Sequence, residues 1–185
     1  MPRVQPDHVG LSDARHRLPR SAPVIAGIWM DAIESIALAR IRDRNALTKL
    51  DQAEFRLSRA SNDEPVWPWI FRFDERKLAG FRAQVAGRLG RIKVAERALQ
   101  VAHDPQQAPK PRAVMDVLRA EVLAQSGQVD EACRVAAEAF DIGQTYDSER
   151  VTRAVASFRN TLGTRAGRAT AELDERLYAT YREDL

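Results

Sequence analysis

Cysteine is almost missing: Cys133 is the only one in 185 residues. That excludes an intramolecular disulfide and a zinc site built on cysteine pairs. It falls on a predicted helix between Ala132 and Val135, where a small buried thiol is expected. Aromatic residues make up only 6%. No apolar run approaches the ~20 residues that a membrane-spanning helix needs. The arginines near the amino terminus are followed by no long apolar stretch, so no signal peptide is expected. These absences predict a cytoplasmic protein without a membrane segment.

The chemistry of active sites is missing too. His8, His16 and His103 are not spaced as metal ligands. His103 instead sits at a predicted helix end, where a cation faces the helix dipole favourably. There is no glycine-rich phosphate loop, no paired-carboxylate motif and no Ser/His/Asp set. No catalytic, cofactor-binding or metal residue is therefore expected, and the chain is read as a non-enzyme. The net charge of +3 comes from 25 arginines and 4 lysines against 26 acids. The acids are interleaved almost everywhere. The most basic region, Arg150, Arg153, Arg159, Arg165 and Arg168, reads as a solvated helix face. Specific DNA binding by this chain alone is not expected, because phosphate recognition wants a clustered basic surface.

What is present is alanine, leucine, arginine and glutamate at helical spacing, a composition suited to helices packed through small side chains. Residues 1–20 carry Pro2, Pro6 and Pro19 with little periodic hydrophobicity and read as a flexible lead-in. From residue 21 to 185 a single helical repeat domain is expected. Ser21 and Pro23 open a helix bearing Ile25, Ile28, Trp29, Ala32, Ile33 and Ile36. Ala46, Leu50, Ala53 and Leu57 form its partner, followed by a loop over residues 61–65. The aromatic segment 66–73 (VWPWIFRF) reads as an extended linker packing onto the neighbouring hairpin. Asp74 is placed to cap the next helix, with Phe73 and Leu78 as a hydrophobic staple. That helix ends at Gly90, and its partner carries Ile92, Ala95, Leu99 and Ala102. A proline-rich loop through Pro109 and Pro111 leads to a helix with Val114, Leu118 and Val122, stopped at Gly127. Its partner carries Val129, Ala132, Ala136, Ala139 and Phe140, closed at Gly143. Ser148 starts a helix bearing Val151, Val155, Phe158 and Leu162, ended at Gly163. A last helix carries Leu173, Leu177 and Tyr181, with a Glu172–Arg176 pair along it.

The most informative signal is self-similarity. Sliding residues 74–107 onto 111–144, a shift of 37, aligns nine identities in 34 positions, where chance gives about two or three. They are Arg82/Arg119, Ala83/Ala120, Val85/Val122, Gly90/Gly127, Ala95/Ala132, Arg97/Arg134, Ala102/Ala139, Asp104/Asp141 and Gln107/Gln144. A fainter copy at a shift of 49 places Ala37, Ala46, Leu50 and Ala53 on Ala86, Ala95, Leu99 and Ala102. It leaves Ile41 where Gly90 should be, so a different turn is expected there. Paired alanines let two arms approach closely, and the glycines supply the left-handed conformation that ends the first arm. One hairpin cannot bury its apolar face, so units must stack. The reading is an all-α, TPR-like helical-hairpin array (an α-solenoid) of seven to eight helices.

The pattern resembles tetratricopeptide repeats, with a period of 37 in place of ~34 and without the signature Trp and Tyr positions. More narrowly, it is similar to the C-terminal TPR-like region behind the helix-turn-helix of XRE-type transcriptional regulators in high-GC Gram-positive bacteria. The matching pieces begin with Ser21 to Pro23 opening a helix and DQAE at 51–54. Trp69, Phe73–Asp74, Leu78–Ala79 and LGR at 89–91 follow. GQVDEA at 127–132, SER at 148–150, Leu162–Gly163 and ELDERL at 172–177 complete the series. No helix-turn-helix fits in residues 1–20, so the resemblance implies the regulatory, sensing half of such a protein. A stand-alone scaffold or homodimerisation module is the alternative.

A protein or peptide partner would be met by polar residues off the apolar stripes of the first arms. These are Asp31 and Ser35, then Gln84 and Arg88, then Glu121 and Gln125. Gly80/Gln84 and Val117/Glu121 stand where repeats that grip acidic C-termini carry Lys and Asn, so a carboxylate clamp is not expected.

Overall fold

The computed structural model describes residues 22–60, 73–164 and 167–183. The lead-in over 1–20, Ser21, the loop over 61–65, the aromatic residues Trp67, Trp69 and Phe71, Arg165 and the Tyr181 side chain lie outside the description. Among the described residues there are eight α-helices and no strand. They fall in two compact units, Met1–Ala102 and His103–Leu185. The first holds α1 (Val24–Arg40), α2 (Asn45–Leu57), α3 (Glu75–Arg88) and α4 (Ile92–Ala102). The second holds α5 (Pro109–Gln125), α6 (Val129–Thr145), α7 (Glu149–Thr161) and α8 (Arg168–Glu183).

In the first unit α1 pairs with α2 and α3 with α4, and α3 packs on both helices of the first hairpin. Its core is built on Ile28, Ala32, Leu50, Leu78 and Val85. In the second unit α5 pairs with α6, α7 packs on both, and α8 lies mainly on α6. Phe158, Val151, Val155 and Leu173 fill its centre between the alanines of α5 and α6. This is the expected helical-hairpin packing.

Local chemistry explains the boundaries. The Asp74 carboxylate accepts the Lys77 N–H at 3.0 Å, capping α3. Phe73 and Leu78 join one core cluster, and the Phe73 ring stands 5.9 Å from that of Phe81. Pro109 and Pro111 do not form a loop: α5 begins at Pro109. The first turn of a helix has no use for its N–H groups, so proline is at home there.

The ends of the helices carry the repeat. Gly90 takes φ +70°, Arg91 donates to the Ala86 carbonyl at 2.8 Å and Gly90 to Gly87 at 3.0 Å. Gly127 takes φ +88°, with Gln128 donating to Leu123 at 2.9 Å and Gly127 to Ala124 at 3.2 Å. This pair of bonds around a left-handed residue satisfies carbonyls that the helix cannot. The first hairpin was expected to turn differently, yet α1 closes by the same two bonds. Arg42 stands at φ +58°, Asp43 donates to Leu38 at 3.0 Å and Arg42 to Ala39 at 3.0 Å. Its left-handed residue lies 48 positions before Gly90, whereas the second arms align at 49.

Two registers therefore hold in the first copy. Counted back from the closures, Ser35, Ala83 and Ala120 correspond, as do Ala39, Gly87 and Ala124, and all six are buried. The second arms keep Ala46, Ala95 and Ala132 together, each at 0% exposure. The turn between Arg42 and Ala46 is one residue shorter than those after Gly90 and Gly127.

Other expectations are revised. Gly143 does not stop α6, which continues to Thr145 and closes at Asp147, φ +48°. A Cβ on Gly143 would stand 3.0 Å from Thr152 Cγ2 and 3.1 Å from Val151 Cγ1, so the glycine lets α7 approach. Asp104 and Gln107 precede α5, whereas Asp141 and Gln144 lie inside α6, so those two identities are not structural equivalents. Glu172 acts on Arg176 as expected, but it is bonded by Arg168 at 2.8 Å, and Arg176 also reaches Asp141 of α6.

Two outcomes follow for urea unfolding. Ala95→Leu and Ala132→Leu should each cost about 1–3 kcal/mol by overpacking, while Arg97→Ala, at an exposed site, changes the midpoint little. An unchanged midpoint in the leucine variants would contradict the repeat packing. Arg42→Gly should stabilise the chain by about 0.5–1 kcal/mol, because it relieves a left-handed backbone that L side chains resist.

Candidate partner-binding surface

α1 carries the first two residues expected to face a partner, and neither does. Asp31 and Ser35 are both at 0% exposure. Asp31 forms an ion pair with Arg56 of α2, whose guanidinium also lies beside Gly27, 3.7 Å from where a Cβ would stand. The Ser35 hydroxyl donates to the Ala32 carbonyl at 2.6 Å. One turn along, the Lys49 ammonium of α2 donates to Glu34 at 2.7 Å. These polar groups hold the first hairpin together.

The physical reason is the register. A shift of 49 set Asp31 and Ser35 beside Gly80 and Gln84, but the closures show that the shift is 48 in the first arms. Their counterparts are Ala79 and Ala83, which are buried. One residue is 100° of helix, enough to exchange an outward for an inward side chain. The true counterparts of Gln84 and Arg88 are Ile36 and Arg40. Exposure follows the same pattern in each arm. Ile36, Gln84 and Glu121 are half-buried, and Arg40, Arg88 and Gln125 are exposed. Gln84 and Arg88 thus stay at the surface of the first unit, and Glu121 and Gln125 at that of the second.

Ion pairs fasten the arms around these positions. Arg82 of α3 bonds Glu54 at 2.6 Å and Asp51 at 2.7 Å on α2. Burial alone would lower the Arg82 guanidinium, but the two carboxylates outweigh it and raise it above its usual value. The repeat equivalent Arg119 stands 3.9 Å from Glu131.

Asp116 was missed. It is half-buried on α5, and burial pushes its carboxyl above the usual range. The charges of Arg112, Arg119 and His103 oppose that shift, and Glu138 adds to it. Its counterpart one repeat back is Ala79, buried at 6% exposure. Counted from the closures, Asp31 holds the same position in the first copy and is buried too, so an acid recurring at an inward position was the available signal.

The remaining candidates divide clearly. Burial raises the Cys133 thiol above its ordinary value, with Arg159 opposing, so the cysteine is an unreactive core residue. In the basic region Arg153 pairs with Glu149, Arg168 with Glu172, and Arg159 forks onto both oxygens of Asp174 at 2.7 and 2.8 Å. An open cleft of about 490 Å³ on the outer face of α2 is lined by Thr48, Asp51, Gln52, Phe55 and Arg56. Among the described residues no group of three or more His, Cys, Asp or Glu side chains is placed to hold a metal, and no helix is long and apolar enough to cross a membrane.

Arg56→Met should destabilise by about 3 kcal/mol in urea unfolding, because it takes the guanidinium away from the buried Asp31 carboxylate. Adding Asp31→Leu should recover much of that loss. If the single variant unfolds at the wild-type midpoint, the pair does not fasten α1 to α2. Comparison with known proteins finds no match, whether to a family model, a curated protein or a solved structure.

Proposed function

We propose that the chain is a non-catalytic, TPR-like protein- or peptide-binding module, serving as the sensing part of a bacterial transcriptional regulator. The observation that carries the binding role is the recurrence of outward positions. Each first arm that closes on a left-handed residue presents a half-buried residue followed, one turn later, by an exposed one. Inward positions of the same arms are taken up by the core, by small residues and by the ion-paired Asp31. A rigid arm with a solvated polar side is suited to contact.

In the first unit the exposed residues of this set are Arg40 and Arg88. On α1 and α3, which pack together, they favour a segment carrying acidic side chains. Gln84 adds a polar contact beside them, and Glu121 and Gln125 hold the corresponding positions on the second unit by itself. The regulatory role rests on the resemblance to the region behind the helix-turn-helix of XRE-type regulators, and duplex DNA is not the partner. The arginines of α7 and α8 are largely taken up in ion pairs.

The test is a titration of the partner captured by the full chain from a lysate of a high-GC Gram-positive bacterium. Arg40→Glu combined with Arg88→Glu should weaken binding at least about tenfold while helicity and melting stay unchanged, since both residues are solvent-exposed. Duplex DNA should bind weakly and be released by about 0.2 M salt. Undiminished partner affinity in the double variant would place the site elsewhere. Tight, sequence-selective DNA binding would overturn the reading.

A further inference from the structure

The helix α8 is fastened differently from the others of its unit. Of its described side chains only Leu173 and Thr170 are buried, with Ala169 and Leu177 partly so. Thr170 serves α8 itself: its hydroxyl donates to the Gly167 carbonyl at 2.7 Å and accepts the Gly167 N–H at 2.8 Å. The start of the helix is therefore capped from within. Among its described residues, what ties α8 to the rest is Leu173, the partly buried Ala169 and Leu177, and two sets of ion pairs, Asp174 with Arg159 of α7 and Arg176 with Asp141 of α6. By contrast α7 sinks Val151, Val155, Phe158 and the following Leu162 into the core.

The surface beneath α8 can be read from helical spacing. A side chain on Gly167 would come within 4.0 Å of Asp130, and Arg176 bonds Asp141. Asp130, Cys133, Ala137 and Asp141 recur every three or four residues along one stripe of α6. With its two ends in contact with α8, the stripe places Cys133 and Ala137 underneath it. Cys133 is 1% exposed and shares a core cluster with Leu173. Asp174 and Asp130 both act on its thiol.

We propose that α8 is a reversible latch: it leaves unit two as one self-capped helix while α5, α6 and α7 stay folded, and so uncovers the Asp130–Cys133–Ala137–Asp141 stripe of α6. Helices with few buried apolar contacts open at lower free energy than the body they rest on. The Arg176–Asp141 fastening makes the latch responsive to ionic strength, because exposed ion pairs are screened by salt, whereas the partly buried Arg159–Asp174 pair is screened less. The linker passes through Gly163 in the left-handed conformation, φ +60°.

The sole cysteine makes the latch measurable in the full chain. The rate of Cys133 modification by 5,5′-dithiobis(2-nitrobenzoic acid) is followed in low urea, well below the unfolding midpoint read by circular dichroism. The expected labelling depends only shallowly on urea and rises several-fold between about 0.05 and 0.5 M salt. Leu173→Ala should accelerate it by about tenfold or more, and Arg176→Ala in the same direction, with the circular-dichroism midpoint nearly unchanged. Arg153→Ala, whose ion pair lies within α7, should leave it unaltered. Labelling that follows urea as steeply as global unfolding would overturn the proposal. So would variants that speed labelling only in proportion to a lowered midpoint, since α8 would then be integral to the core.

Discussion

Where a first arm ends, its last carbonyls need partners that the helix cannot supply, and one residue must take positive φ to bring the following N–H groups back to them. Gly90 and Gly127 do this without steric strain, and Arg42 does it against the preference of its side chain. The closure sets where the arm stops, and the length of turn that follows sets how the second arm is rotated against the first. Everything facing inward or outward is counted from that residue. Ser35, Ala83 and Ala120 are inside because each stands seven positions before it, and Arg40 and Arg88 are outside because each stands two before it.

Small side chains and paired charges then divide the work of holding the arms. Alanines at 0% exposure on both arms bring the helices close, and Gly143 does the same for α6 and α7. Charges sit at the margins of these contacts: Asp31 with Arg56, Glu34 with Lys49, and Arg82 with Asp51 and Glu54. In the first unit these pairs join α1 to α2 and α2 to α3. Only Asp31 is fully buried, and such a charge deprived of its ion-pair partner costs several kcal/mol, about as much as a core cavity, whereas the more exposed pairs of Lys49 and Arg82 contribute less.

The helices were legible in the sequence because Leu78, Val85, Val155 and Phe158 recur at helical spacing, and because Asp74, Gly90 and Gly127 are local signals with one physical meaning each. The first-arm register was not legible, because the left-handed residue there is an arginine and no propensity marks it. Ile41 was read as the misplaced glycine position when the closure lay one residue further on. That single step carried Asp31 and Ser35 to the wrong side of α1, whereas Gln84, Arg88, Glu121 and Gln125, counted from true glycine closures, were placed at the surface. Asp116 escaped for a related reason: an acid on a helix looks solvated unless its repeat counterpart, Ala79, is known to be buried.

The common register is therefore the claim on which the surface, the ion pairs and the proposed partner contacts all rest. It is tested by thiol accessibility in the folded chain on a Cys133→Ser background, comparing Ser35→Cys with Arg40→Cys. With the first arm counted from Arg42, the thiol at position 40 should react at nearly the rate of a free thiol. The one at position 35 should be protected until unfolding. Rapid reaction at position 35 with protection at position 40 would contradict the register and the surface derived from it.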